Sequence, residues 1–234
     1  MRRVTGTTAD LWHHYGRSRA DHERAVPDSF RWAWSQRGGP GPELLQDLAG
    51  RTAADLGAGA ARHAAYLAVH HRPARIDAID ASPAQHAMAT GRYAHLAPQL
   101  RIVHADVVEH LRARPSSYDV LYSVFGAVCF TDPYVLLPTA VSALRPGGRL
   151  VFSTLGHYLN GTPARTDVAH ADIPAKTPEG DATTMRRWVL QGHVWAKALE
   201  EAGFVDVGVD TVPAAERGPR TADTLVVTAS RRRA

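Results

Sequence analysis

Three carboxylates and one histidine stand where residue type and spacing could support chemistry. Asp55 opens the stretch Asp55-Leu-Gly57-Ala-Gly59, between a weakly apolar approach and a helical run from Arg62 to His70. Two glycines let the backbone turn sharply and let a ligand come close where a Cβ would block it. Asp55 there either orients the turn or accepts a donor from a ligand. Roughly 20 residues further on, the run Ile76-Asp-Ala-Ile ends in Asp80, where a carboxylate can accept hydrogen bonds from two ribose hydroxyls. Asp106 follows a third apolar run, Leu100 to His104, and is placed to cap a helix from Val107 to Arg112. His157 lies three residues past Thr154, and imidazole can take up a proton near neutral pH.

The spacing bears on which nucleotide is bound. A dinucleotide fingerprint wants a small residue at its third glycine position, for close helix–strand packing, and Arg62 stands there. A diphosphate would also call for donors at the helix N-terminus. Asp-x-Gly-x-Gly suits a ligand without phosphate. The stretch resembles motif I of the class I S-adenosylmethionine-dependent methyltransferases, whose third glycine falls at Ala61. Leu144-Arg-Pro-Gly-Gly-Arg-Leu-Val151 resembles the segment leading into their fifth strand. The Gly turn, the acids after strands two and three, and the Pro-Gly-Gly segment occur in the family's order over residues 50–155.

The resemblance implies a seven-stranded Rossmann-like α/β sheet ordered 3-2-1-4-5-7-6, the last strand antiparallel, under an N-terminal helical lid. It implies S-adenosylmethionine as the cofactor and S-adenosylhomocysteine as its product. Asp55, Gly57, Gly59, Asp80, Ala81 and Ser123 would hold it. Asp106 would accept the adenine amine and the Val107 N–H would serve a ring nitrogen. Tyr15 and Arg17 in the lid would reach the methionine carboxylate, for which a guanidinium fork is well shaped. The acceptor would meet Trp12, His13, Phe125, His157 and Tyr158, with His157 as the base and His13 or His14 as second choices. The whole chain is also similar to small-molecule methyltransferases of actinobacteria, natural-product enzymes among them.

The elements that position these residues follow from pattern. A helix is expected from Thr8 to Arg24, where Leu11, Trp12 and Tyr15 recur at helical spacing, and another from Glu43 to Ala49. From Arg51 strands and helices alternate, which predicts a parallel sheet. Strands are expected over 52–57, 75–80, 100–104, 118–124 and 149–154. Helices are expected over 84–95 and from Asp132-Pro133, which supplies a cap and a first-turn proline. Leu155 to Met185 shows little periodicity and is expected to be a substrate-covering loop. Arg186 to Gln191 is expected to be extended. A helix, His193 to Ala202, and two strands, Phe204 to Val212 and Thr224 to Ala229, complete the chain. One domain is expected across 1–234, divided into a lid (1–50), a cofactor core (51–154), the insert (155–185) and the rest of the sheet (186–234).

Composition narrows the function classes. The 234 residues are 44% hydrophobic and 21% charged, an ordinary globular balance. One cysteine, Cys129, excludes an internal disulfide framework and a multi-cysteine metal centre, and no metal site is expected. Of the net charge of +4, Arg231-Arg-Arg233 supplies three, so the body has no dense basic face for nucleic acid. No apolar run is long enough to span a membrane, and a cytoplasmic setting is expected. The expected partner is a small-molecule substrate, and a homodimer is allowed. The run after strand four, Ser123-Val-Phe-Gly-Ala127, lacks the Asn/Asp-Pro-Pro-aromatic signature of enzymes that methylate exocyclic base amines. Its apolar residues Phe125, Val128 and Phe130 suit an apolar or aromatic acceptor. Two other readings stay open: an RNA or protein methyltransferase, and an S-adenosylmethionine-binding protein that performs no transfer.

Overall fold

Alternation on the central strands decides the architecture. On β1 (Thr52–Leu56), Ala54 and Leu56 face one side and Ala53 the other. On β4 (Tyr118–Val124), Leu121 opposes Val120 and Tyr122, and on β5 (Leu144–Leu155) Leu150 and Phe152 oppose Val151. A strand apolar on both faces must be covered on both. One face carries α3 (Val107–Arg112), α4 (Pro133–Ala143) and α5 (Gly192–Glu201). The other carries α1 (Arg62–His70), α2 (Pro83–Tyr93) and the lead residues Phe30, Trp32, Leu45 and Leu48. The structure, a computed structural model, describes residues 10–16, 25–216 and 218–233.

With β2 (Arg75–Asp80), β3 (Leu100–His104), β8 (Phe204–Val212) and β9 (Thr224–Arg231), the sheet has seven strands in the order β3-β2-β1-β4-β5-β9-β8. β9 runs antiparallel to both neighbours. This is the expected order once the two strands of a separate hairpin are left out of the count. That hairpin, β6 (Ala171–Lys176) and β7 (Ala182–Arg187), lies in the segment expected to be a loop, apart from Arg186 and Arg187, which are expected to be extended. Its alternation is visible only as exposed and half-buried positions, and Pro174 lies in β6, so strand signals are weak there.

Three further expectations are corrected. Asp10 to Gly16 forms i→i+3 turns rather than helix, with Gly16 at φ +73°; the remainder of the expected Thr8–Arg24 helix lies outside the described residues. The Glu43–Ala49 helix is a single 3₁₀ turn, Pro42–Leu45, stopped by Gln46 at φ +61°. The fifth strand, expected over 149–154, begins at Leu144, and its register with β4 shifts between Tyr118 and Val120. Asp132 caps its helix as expected, and Ser82 and Asp106 also each accept an amide of the first turn.

The ends of β1 and β4 meet backbone to backbone. A Cβ on Gly126 would stand 2.4 Å from the Leu56 carbonyl oxygen and 2.6 Å from that of Gly57. A Cβ on Gly57 would stand 2.2 Å from the Ala127 nitrogen. Neither neighbour is a flexible side chain, so neither can give way cheaply. Gly91, inside α2, has nothing within 4 Å of such a Cβ. Opposite outcomes are therefore expected: Gly126→Ala destabilises by about 3 kcal/mol through overpacking, and Gly91→Ala stabilises by about 0.5–1 kcal/mol. Urea melts of the two variants check this, and a tolerated Gly126→Ala would refute the close approach.

Candidate active site

The Gly turn lies at the carboxyl ends of the parallel strands, where open α/β sheets bind ligands. Asp80 ends β2. Its Oδ2 accepts the Gly59 N–H at 2.7 Å and its Oδ1 the Ser82 N–H at 2.9 Å. Burial holds this carboxyl above its ordinary value, the two amides pull it down, and the carboxylate of Asp10 pushes it up. Gly59 sits at φ +55°, and a Cβ there would meet only Gln85 Oε1, at 3.5 Å. The two glycines thus differ in use: Gly57 is packed against the loop after β4, and Gly59 leaves its side of the turn open. Ala61 begins α1 in the left-handed region at φ +58°, the conformation a third glycine would adopt freely.

Asp55 is one residue from the end of β1 and 2% exposed. Its neighbour in register on β4 is Tyr122, itself fully buried. Burial raises the Asp55 carboxyl to about 8, with the Tyr122 hydroxyl opposing the shift and Asp80 adding to it. Neither Asp55 Oδ2 nor the Tyr122 hydroxyl completes a hydrogen bond of regular geometry. Ser123, the next residue of β4, is committed elsewhere: its hydroxyl donates to the Leu56 carbonyl at 2.7 Å. Asp106 is exposed and caps α3, its Oδ1 accepting the Glu109 N–H at 3.0 Å. Ala81 is exposed, and its carbonyl lies 3.1 Å from His104 Nε2.

The segment 10–16 lies over this region, held by residues that spacing alone did not single out. Asp10 Oδ2 accepts the Ser82 hydroxyl at 2.9 Å and the Ala84 N–H at 3.2 Å, at the start of α2. The Gln85 side-chain amide donates to the carbonyls of Trp12, at 3.0 Å, and Tyr15, at 2.9 Å. The Trp12 ring stands edge-on to Phe130, centroids 4.6 Å apart, so the segment bridges from α2 to the loop after β4. The imidazole Nε2 of His14 lies 3.0 Å from the Thr177 carbonyl, between β6 and β7. His13 stacks edge-on to His14, and the Tyr15 side chain is 58% exposed with its ring against Trp12. Arg17 lies outside the described residues.

Across the loop after β4 is a second, aromatic set. Phe125 holds φ +50°, a strained conformation for a bulky residue, and its ring meets Trp34 at 5.0 Å. Arg187, at the end of β7, places its guanidinium 5.2 Å from the Phe130 centroid and 5.8 Å from that of Trp34. The Tyr158 hydroxyl donates to the Arg187 carbonyl at 3.2 Å. His157 is half-buried, with Nδ1 3.0 Å from the Tyr158 carbonyl. A carbonyl only accepts, so Nδ1 carries the hydrogen and Nε2 keeps its lone pair in the neutral ring. The structure thus brings together Asp55, Gly59 and Asp80 on one side, and Trp12, Phe125 and Tyr158 with Trp34, Phe130 and Arg187 on the other. It turns Tyr15 outward and ties Ser123 to the backbone. Among the described residues, no cluster of His, Cys, Asp and Glu could hold a metal ion.

The buried Asp55 carboxyl carries a pH signature. Its folded value of about 8 lies above the ordinary 3.8, so between these limits the folded chain keeps a proton that the unfolded chain has lost. Stability then falls as pH rises through that window, by up to about 1.4 kcal/mol per pH unit. Asp55→Asn, which cannot ionise, is expected to hold its melting temperature better than wild type between pH 5 and pH 8. Parallel pH profiles for the two proteins would contradict the assignment.

The methyltransferase-domain family model matches residues 53–148. No curated protein matches the sequence. Solved structures share the fold. An S-adenosylmethionine-dependent methyltransferase from Mesorhizobium loti is 24% identical with a TM-score of 0.56, over 81% of this chain and 96% of that one. The 1,6-didemethyltoxoflavin-N1-methyltransferase of Burkholderia thailandensis, solved with its acceptor and S-adenosylhomocysteine, is 21% identical with a TM-score of 0.55, over 79% and 72%. The geranyl diphosphate C-methyltransferase of Streptomyces coelicolor A3(2) is 12% identical with a TM-score of 0.57, over 81% and 73%. Residues 53–148 match the methyltransferase-domain model, and the seven-stranded sheet that holds them is the fold shared with these methyltransferase structures.

Proposed function

We propose that this methyltransferase domain uses S-adenosylmethionine to methylate an O, N or C nucleophile of a small-molecule acceptor, in secondary metabolism. The observation that carries the reading is Asp80. Its two oxygens take the Gly59 and Ser82 amides and so aim one carboxylate along the Gly turn. A carboxylate has about four lone-pair sites, so two remain for a ribose diol. The rest of the donor set fits the same ligand. Asp55 Oδ2, buried without a partner, offers an acceptor to an ammonium group. Gly59 leaves room for close backbone approach. Asp106 keeps Oδ2 for an adenine amine, and the Val107 N–H, in the first turn of α3, has no acceptor within its own helix. Ala81 lies between Asp80 and the Ser82 cap, and Tyr15 and Arg17 are assigned to the methionine end.

When bound, S-adenosylmethionine would supply a methyl group for in-line attack by the acceptor nucleophile, the carbon–sulfur bond breaking as S-adenosylhomocysteine leaves. The chain's part is placement and exclusion of water. Trp12, Phe125 and Tyr158 wall the acceptor side, and His13 stands beside them in the lid. For a hydroxyl acceptor, His157 Nε2 receives the proton, while an amine that arrives neutral needs no base. The small-molecule reading draws support from the aromatic walls and from the fold-sharing enzymes named for 1,6-didemethyltoxoflavin and geranyl diphosphate.

Calorimetry is expected to show S-adenosylhomocysteine binding and no NAD binding; the reverse would defeat the proposal. Asp80→Ala should weaken S-adenosylhomocysteine binding by roughly 1.5–3 kcal/mol, and unchanged affinity in the folded variant would remove the ribose role. With a hydroxyl acceptor, His157→Ala should slow turnover by about 10²–10⁴-fold at unchanged cofactor affinity. Near wild-type turnover would end the case for this base.

A further inference from the structure

Arg187 occupies a position that its strand pattern reserves for an apolar residue. On β7 the residues at 183, 185 and 187 point inward, and 182, 184 and 186 are exposed. At 187 the inward side chain is an arginine, only 7% exposed. Opposite it in register on β6 is Ala171, which takes little space. The guanidinium lies over Phe130 and against Trp34. Its Nε is buried without a hydrogen-bond partner, and among the described residues no carboxylate pairs with it. Aromatic faces attract a cation but do not replace an anion. Cys129, its polar neighbour, supplies no counter-charge, because burial pushes the thiol up and keeps it protonated. The Thr154 hydroxyl, buried at the carboxyl end of β5, approaches the same thiol, so the polar groups around the guanidinium are all neutral.

A buried charge left unpaired is costly, and such groups are normally matched. Here the match is missing at the acceptor side of the cleft. Phe130 meets both the Trp12 ring, at 4.6 Å, and the Arg187 guanidinium, at 5.2 Å, so one ring links the guanidinium to the segment covering the Gly turn. We infer that Arg187 is a specificity-determining residue that receives an anionic group of the acceptor, a carboxylate or a phosphate, and selects acids over their neutral analogues. The planar guanidinium suits either anion through two parallel hydrogen bonds. Trp34, Phe125 and Phe130 favour an acceptor whose anion is carried on a flat apolar body. This inference rests on the methyltransferase reading of the same cleft.

The test uses the full chain saturated with S-adenosylhomocysteine, titrated in a calorimeter with benzoate, phenyl phosphate and the neutral benzamide. At least one anion is expected to bind tenfold or more tightly than benzamide, and the better of the two identifies the anion class. Arg187→Met should lose that preference and keep its affinity for S-adenosylhomocysteine, and Arg187→Lys should retain part of the preference. Without ligand, Arg187→Met should melt no lower than wild type, since it removes an unpaired charge; an arginine serving only to hold the hairpin would make the variant melt lower. The inference is overturned by equal binding of anions and amide, by no binding of either anion, by a preference that survives in Arg187→Met, or by lower melting of that variant. Loss of S-adenosylhomocysteine affinity in Arg187→Met would overturn it too, by placing the guanidinium on the methyl donor. Failure of wild type to bind S-adenosylhomocysteine would instead defeat the methyltransferase reading itself.

Discussion

The contact of two backbones, the Gly57 turn on the Gly126 loop, is the constraint on which the site depends. It fixes how far the cofactor turn stands from the loop that carries Phe125 and Phe130. The Ser123 hydroxyl on the Leu56 carbonyl closes the same junction from within the sheet. Phe125 then leaves β4 at φ +50° with its amide on the Ser153 carbonyl at 3.1 Å, so strain is held at the point where the chain turns from sheet to wall. A side chain on either glycine would run into the backbone of the facing loop and force the two apart.

The sheet was legible because its signals are local. Two-sided apolar strands, glycine turns and Ser/Asp caps each act within a few residues, and they located β1 to β4, the starts of all five α-helices to within a residue, and the positions of Asp55, Asp80 and Asp106 at or near strand ends. The lid was only half legible. Leu11, Trp12 and Tyr15 have helical spacing, but the chain there is shaped by Asp10 on α2 and by Gln85 on two carbonyls, and partners some 70 positions away in sequence leave no periodic trace. Ser123 shows the same limit: its place at a strand end can be read, its bond to Leu56 cannot. The hairpin was missed because its ribbon is largely exposed and its one buried end is Arg187, a residue that pattern reading assigns to solvent.

Asp55 and Arg187 are the buried ionisable groups whose surroundings leave them incomplete, one on each side of the cleft. Asp77 provides the contrast. It too is buried, on β2, but it accepts the Tyr118 hydroxyl at 2.7 Å and pairs with Arg75 and Arg101, at 3.0 and 3.3 Å. Its carboxyl accordingly lies below the ordinary value despite the opposing effect of burial. Asp77 thus has opposite charge beside it, whereas among the described residues no ion pair reaches Asp55 or Arg187. Local rules broken without internal compensation are where function is expected.

The lid's hold on α2 has a further consequence. Asp10 and Asp80 meet the same serine, one through its hydroxyl and the other through its amide. The two carboxylates repel, so closing the lid makes Asp80 harder to ionise. Coupling of this kind is reciprocal. Hydroxyl donors on Asp80 would favour its ionised form, and an ionised Asp80 opposes Asp10. The hold of residues 10–16 on α2 therefore rests on the Ser82 hydroxyl and the Ala84 amide, which keep Asp10 in place against a charged neighbour.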